Sequence, residues 1–378
     1  MIFIIIKFIA YRDEEGKPYI LPVVRDIELQ VVQDEKRKHE YLPISGLADF
    51  NLAMAELLLG EGNFNSFKER IAVVQCIAGT GSLRVAFEFL NKFHTSKVVA
   101  ISEPTWENHK SIIRESHFIW KPYRYYESST KALDVKGMLE DLEAFPEGTI
   151  VLLHACAHNP TGVDPTFSDW EKILKLIKVK HHFPVFDVAY QGGLATGDPK
   201  TDAGAVCLAV QLEIEFFACQ SCSKIFGLYD ERTGALTCFL ASARAKQAVE
   251  SQLKIILRTM ISNPPHHGAR VVATILKSTK LRQEWLQTIK AMTERILKMR
   301  QELYTRLKRL STPGDWSHIV NQKGMFTFTG LTESQCALLT EKHHVYLVSN
   351  GRINICGLTN ENVDYVANAI YQVVTSDC

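Results

Sequence analysis

An alternation constrains this chain more than any other feature. Apolar runs at 97–101, 149–154, 183–187, 215–220 and 234–240 are spaced by helix-like stretches and by loops such as Gly192-Gly193 and Gly197-Asp198-Pro199. Within one of them, Phe216-Phe217-Ala218-Cys219 is apolar at every position, so both faces would be buried. Such strands belong inside a parallel sheet, because the crossover helices that join parallel strands cover both sides. The expected class is α/β: a large domain with a mostly parallel central sheet and covering helices. After about residue 280 the pattern changes. Trp285, Ile289, Met292, Ile296, Met299, Leu303, Leu307 and Leu310 recur at three- and four-residue spacing, which predicts one long amphipathic helix ending before Thr312-Pro313-Gly314. Strand-like runs at 324–329, 345–348 and 352–356, then a helix near 361–374, make a smaller α+β unit. The expected division is 20–291 for the large domain, and 1–19 with 292–378 for the small one.

Composition narrows the function. The 378-residue chain has a net charge of +1 and no basic block, so nothing suits it to nucleic acid. Nine cysteines are scattered without a framework, as expected of reduced thiols in the cytoplasm. Cys219-x-x-Cys222 has no second pair, and strand alternation would put the two thiols on opposite faces, so no metal site is expected. The apolar opening Met1-Ile2-Phe3-Ile4-Ile5-Ile6 is far too short to span a bilayer and is interrupted by Lys7, so a buried strand is expected and no membrane association. The start is not the Arg- and Ser-rich sequence of a transit peptide, and no N-x-[ST] sequon with a permissible middle residue occurs.

The chemistry gathers around Ser221-Cys222-Ser223-Lys224, with Arg232 eight positions on. A lysine behind small hydroxyl residues can form a Schiff base, and a nearby arginine can hold a phosphate. Together they suit pyridoxal phosphate, which needs an amine, a phosphate clamp and a partner for its ring nitrogen. Asp187, in Asp187-Val188-Ala189-Tyr190, is that partner, since a carboxylate keeps the ring nitrogen protonated. Both Lys224 and Asp187 follow strand-like runs, and ligands of open α/β sheets sit beyond the carboxyl ends of strands. Asn159, in His154-Ala155-Cys156-Ala157-His158-Asn159-Pro160-Thr161-Gly162, and Tyr190 could both donate to the phenolate oxygen. His154, Cys156 and His158 would share a strand face; polar packing is preferred to a metal site, because no fourth ligand is evident. Ala78-Gly79-Thr80-Gly81-Ser82 precedes an apolar helical run, Leu83 to Phe93, and is either a phosphate-binding helix start or a tight turn. It lacks the spacing of nucleotide-binding glycine motifs. Arg258 and Arg352 have no part in holding the cofactor, and two arginines suit a dicarboxylic substrate.

With these residues in order, the chain resembles the class I (fold type I) pyridoxal phosphate-dependent aminotransferases from about Tyr11 to its end. The stretches that carry the likeness are EYLPISGLADF from Glu40, GTGSLR, PTWENH, HACAHNPTG, FDVAYQG, QSCSKIFGLYDERTG, SNPPHHGAR and GRIN. The resemblance implies that Lys224 holds the cofactor covalently and later shuttles a proton, and that Asp187 pairs with the ring nitrogen with His109 behind it. It implies that Trp106 stacks on the ring, and that Asn159 and Tyr190 hold the phenolate oxygen. Gly79, Thr80, Ser221 and Arg232 would hold the phosphate and Arg352 the α-carboxylate. Arg258 and Tyr41 would reach into a neighbouring subunit's site, to the distal carboxylate and the phosphate respectively, which implies a homodimer with shared sites. The implied activity is reversible ping-pong amino transfer from L-aspartate to 2-oxoglutarate. The alternatives are an altered substrate scope or a catalytically silent binding protein. Four features depart from the family pattern. An N-terminal arm that clasps the partner usually precedes the stretch where this sequence begins. Ile9 stands where a glycine usually precedes Ala-Tyr-Arg, and Ala78 stands where a serine is common. Val188 and Ile225 replace smaller or polar residues.

Overall fold

The computed structural model describes residues 4–7, 10–36 and 38–376. Ile9, and residues 1–3 of the apolar opening, lie outside the described residues. The opening does form a strand where it is described: β1 (Ile4–Ile5). The next strands are β2 (Ile71–Ile77), β3 (Val98–Glu103) and β4 (Ile119–Arg124), then the short pair β5 (Tyr126–Glu127) and β6 (Ala132–Leu133). β7 (Ile150–His154), β8 (Phe183–Val188), β9 (Phe216–Ser221) and β10 (Thr233–Phe239) follow. The last are β11 (Phe326–Phe328), β12 (Val345–Tyr346) and β13 (Arg352–Asn354). Seven of these form the central sheet, in the order β2-β10-β9-β8-β7-β3-β4. β10 alone runs against its neighbours; the other pairings are parallel.

Each strand expected from its apolar run is present, displaced by a residue or two at its ends. Two central strands were not expected. β2 sits just before the glycine-rich run, and β4, Ile-Trp-Lys-Pro-Tyr-Arg, is an edge strand with a mostly exposed face and a proline, which weakens any strand signal.

Alternation along the strands divides the core. Val99, Leu152, Val185, Phe217 and Leu236 pack on one face against Phe87 and Leu90 of the helix Ala78–Phe93. Val151, Leu153, Phe186, Phe216 and Ala218 pack on the other against Trp170, Ile173 and Ile177 of the helix Phe167–Val179. That helix opens with a reciprocal cap between Thr166 and Asp169, which satisfies two otherwise orphaned amides.

The long helix spans Thr279–Arg309 and buries Trp285, Ile289, Met292, Ile296, Met299, Leu303 and Leu307, as their spacing predicts. It packs along the C-terminal helix Val363–Thr375. Its first turns reach the segment that follows β9: the Trp285 indole stacks on Phe226 and donates from Nε1 to the Ile225 carbonyl at 2.7 Å. Ile225 is therefore a core residue directly beneath the Lys224 loop, and Val188 likewise faces the core.

Candidate active site

The site assembles where six strand ends meet. β3, β7, β8 and β9 are mutually parallel neighbours or next neighbours, so their carboxyl ends share one edge, with β2 aligned alongside. β10 runs the other way, so its first residues reach the same edge; Thr233 pairs with Ile77 and Gly234 with Ser221. Register does the rest. Asp187 lies beside both His154 and Cys219, so residues just past each strand end converge from distant parts of the sequence.

They enclose a cavity of about 240 Å³. Gly79, Thr80, Trp106, Asn159, Asp187, Tyr190, Ser221, Lys224 and Arg232 all line it. Nine of the sequence-derived site residues thus meet in one place. Arg352 joins them from β13, where its Nη1 donates to Asn159 Oδ1 at 2.9 Å and its guanidinium lies 4.5 Å from the Phe326 ring centroid. Asn159 therefore uses its carbonyl on Arg352 and keeps its amide donors for a ligand. Tyr41 and Arg258 are not brought in. Tyr41 is 81% exposed, and Arg258 is an exposed residue that donates to Ser262 and Asn263.

The glycine-rich run is neither a simple turn nor a lead-in to a helix starting at Leu83. The helix begins at Ala78, so Gly79 and Thr80 occupy its first turn and present free amides at its positive end. Gly79 is needed for closeness: a Cβ there would lie 3.2 Å from the Ser221 Cβ. Ala78 has a left-handed backbone (φ 52°) and lines the cavity, a position where a serine would have added a hydroxyl. Ser221 caps the short helix Cys222–Ile225 that carries Lys224, accepting from the Ser223 amide. Arg232 is held by the Tyr229 carbonyl at 2.9 Å.

The two cysteines of the CxxC do separate, but not by strand alternation: β9 ends at Ser221, so Cys219 lies on the strand and packs in one core cluster while Cys222 opens the following helix and packs in another. The expected shared strand face of His154, Cys156 and His158 is corrected. β7 ends at His154, so the other two lie in the following loop. Their packing is polar and aromatic. His158 stacks on Tyr125 and His154, and its ring nitrogens bond to Ser102 and Thr161. Among the described residues no group of three or more His, Cys, Asp or Glu side chains is arranged to hold a metal ion.

A single chain of hydrogen bonds fixes the state of Asp187. The Asn159 backbone N–H donates to His154 Nδ1 at 3.1 Å, so that nitrogen is an acceptor. His154 Nε2 then donates to Thr105 Oγ1, at 3.3 Å. Thr105 donates in turn to His109 Nδ1 at 2.9 Å, and His109 Nε2 donates to Asp187 Oδ2 at 3.0 Å. Every donor meets one acceptor with both imidazoles neutral. Burial by itself would raise the Asp187 pKa; the hydrogen bond from His109 overcomes this and holds the carboxyl below its usual value. Burial lowers the Lys224 pKa, opposed by Asp187 and reinforced by Arg232, which favours the nucleophilic free amine. Burial likewise raises Tyr190, keeping it a phenol that can donate.

Desolvation pushes the His154 pKa down to about 3. A histidine depressed on folding stabilises the protein above its unfolded pKa of about 6.5, and that stability is lost as pH falls towards 3. The urea midpoint should therefore fall over that window, by a free energy on the order of a few kcal/mol, and fall less steeply in His154→Asn. A wild-type midpoint unchanged from pH 6.5 to 4 would contradict the neutral imidazole.

Sequence reasoning passed over Tyr229, Ser223 and Ala189, which also line the cavity. Tyr229 accepts the Tyr11 amide on its hydroxyl at 2.9 Å, tying the N-terminal segment to the site. Its signal was present, since it lies within the stretch that carries Lys224 and Arg232.

The fold and the site define a family. Residues 10–370 match aminotransferase class I and II, and the chain belongs to that family. It is 49% identical over 366 residues to aspartate aminotransferase 1 of Medicago sativa, an alignment covering 97% of this chain and 87% of that protein. Its structure superposes on the aspartate aminotransferase from Saccharomyces cerevisiae cytoplasm with a TM-score of 0.96 and 42% identity, covering 100% of this chain and 93% of the other. The aromatic-amino-acid aminotransferase of Burkholderia pseudomallei, solved covalently bound to pyridoxal phosphate, gives 0.95 at 39% identity, covering 98% and 92%.

Proposed function

We propose that this protein is an aspartate aminotransferase, using pyridoxal phosphate to move an amino group from L-aspartate to 2-oxoglutarate. The observation that carries the reading is Lys224, a buried amine of lowered pKa in a cavity shared with Asp187 and Arg232. That residue set fits the cofactor: an amine for its aldehyde, a carboxylate for its ring nitrogen, and helix-start amides with Ser221 and Arg232 for its phosphate. Bound there, pyridoxal phosphate supplies an aldehyde that condenses with amines and a ring that withdraws electrons from the substrate's Cα.

The chain's own groups do the rest. Asp187, kept ionised by His109, would hold a proton on the ring nitrogen. Trp106 would cover the ring face, and Asn159 Nδ2 and Tyr190 would donate to the phenolate oxygen. Arg352 would bind the substrate α-carboxylate beside Asn159. Lys224 Nζ, as the free amine, would take the proton from the substrate Cα and deliver it to the cofactor's aldehyde carbon, leaving the amino group with the cofactor. The same residues would act in reverse order on the incoming 2-oxo acid. We place the domain division at 20–291 against 1–19 with 292–378, so that Arg352 comes from the second part. We also place the protein in the cytoplasm, in keeping with the yeast cytoplasmic enzyme; no helix of the described residues is long and apolar enough to cross a membrane.

The spectrum of the purified holoenzyme tests this reading directly. Aspartate should convert the bound cofactor from its aldehyde to its amine form, and 2-oxoglutarate should reverse the change. No conversion, with cofactor bound, would favour a silent binding protein. The neighbouring aromatic-amino-acid aminotransferase supports one second reading, a wider substrate range. Equal turnover of acidic and aromatic amino acids would establish it.

A homodimer completes the site. Tyr41 and Arg258 are exposed and stand outside the cavity, and their segments are tied together: Asn263 donates to the Leu42 carbonyl and accepts from Arg258, in the last turn of the helix Ala243–Met260. Presented to a second copy, Arg258 would meet the distal carboxylate. Arg258→Ala should cut kcat/KM for aspartate by about 10²-fold or more, because a buried carboxylate is left unpaired, and barely affect neutral amino acids. Equal losses on both would remove Arg258 from that role.

A further inference from the structure

Asn159 and Arg352 stand 193 residues apart in sequence and meet through one hydrogen bond. Their relative position is set by a seam between the loop 157–162 and the segment 322–326. The Lys323 amide donates to the Gly162 carbonyl at 2.6 Å. A Cβ on Gly162 would lie 2.9 Å from the Phe326 carbonyl oxygen, and one on Gly324 would lie 2.6 Å from the Ala157 Cβ. Neither wall can retreat. Asp164 accepts from the Ala157 and His158 amides at 2.7 and 2.9 Å, holding the loop. The buried Arg300 donates to the Gly324 and Phe326 carbonyls at 2.8 and 2.6 Å, holding the other side. Asn159 follows directly on one wall. The other leads into β11, whose Phe328 pairs with Arg352 and whose Phe326 lies beneath its guanidinium.

We propose that the glycine seam, Gly162 and Gly324 with Ala157 wedged between the walls, is a positioning element that sets Asn159 against Arg352 and so fixes the grip on the substrate α-carboxylate. The proposal rests on Arg352 being the carboxylate-binding group. Ordinary carbon contacts lie at about 3.5–4.0 Å, so a methyl at 324 must open the seam by roughly 1 Å, and a misplacement of that size is costly to a positioned site.

The test is Gly324→Ala in the holoenzyme. The KM for aspartate, and the Kd for succinate as an unreactive dicarboxylate, should rise about tenfold or more, with the covalent cofactor absorption unchanged. Adding Ala157→Gly removes the opposing methyl and should bring both constants back to within about twofold. Left-handed backbone strain at residue 324 persists in the double variant (φ 76° in the parent), and Ala157→Gly alone, which relieves the same strain at residue 157 (φ 50°), should leave both constants near wild type, so recovery in the double variant reports the seam. An unchanged KM in Gly324→Ala, or a raised KM that Ala157→Gly fails to restore, overturns the proposal. Should Gly324→Ala not fold, Asp164→Asn, which loses one amide acceptor, carries the same expectation of raised KM with cofactor held. A wild-type holoenzyme that binds no succinate and ignores aspartate would sink the reading of Arg352 itself, a result separate from failure of the seam alone.

Discussion

Lys224→Ala should hold no cofactor covalently: borohydride reduction followed by peptide mapping labels position 224 in the wild type and nothing in the variant. Turnover should fall by about 10⁴-fold or more, since one side chain supplies both covalent attachment and proton transfer. Among the described residues lining the cavity, Lys224 is the single amine; Arg232 is a guanidinium and cannot take its place as a nucleophile. The loss should not come from unfolding. Burial already lowers the Lys224 pKa, so the native fold gains nothing from carrying that charge inside. Thermal unfolding of the apo variant should match or exceed that of the apo wild type. A variant that retains labelling at another lysine, or turnover within tenfold, would take Lys224 out of the mechanism.

Asp187→Asn should leave the cofactor bound and the fold intact, yet lower turnover by about 10³-fold, the scale of losing one preorganised electrostatic partner. The substitution is nearly isosteric, and an asparagine carbonyl can still accept from His109 Nε2, which lies 3.0 Å from the carboxylate oxygen. What disappears is the negative charge that holds a proton on the ring nitrogen. Asp187→Glu should recover part of the rate, because charge returns with imperfect placement. A purely structural aspartate would give the opposite ranking, with asparagine tolerated and glutamate disruptive in the enclosed cavity. Turnover of Asp187→Asn within tenfold of wild type would show that no carboxylate is needed there.

Much of the site was legible because the chemistry uses local signatures. Ser221, Lys224 and Arg232 lie within twelve residues of one another, and Asp187 and Tyr190 share one strand exit. The central strands were legible for the same reason: a strand buried on both faces is apolar at successive positions, as in Phe216-Phe217-Ala218-Cys219. The misses have equally local causes. β4 is an edge strand with exposed residues and a proline, so burial left little mark on it. The start of the helix Ala78–Phe93 was placed too late, since glycines read as a turn unless a neighbour such as Ser221 explains them. His158 was expected on a strand that ends four residues earlier.

Residue types and their order determined the α/β class, the amine with its phosphate and carboxylate partners, and the long apolar-striped helix, because each is written over a few neighbouring positions. Only the tertiary structure decided which distant residues touch: that Thr105 links His154 to His109 behind Asp187, that Arg352 reaches Asn159, and that Tyr41 and Arg258 face outward. Those contacts depend on strand register and on how closely two backbones can approach, quantities set by the packing of the whole chain and carried by no short stretch of it.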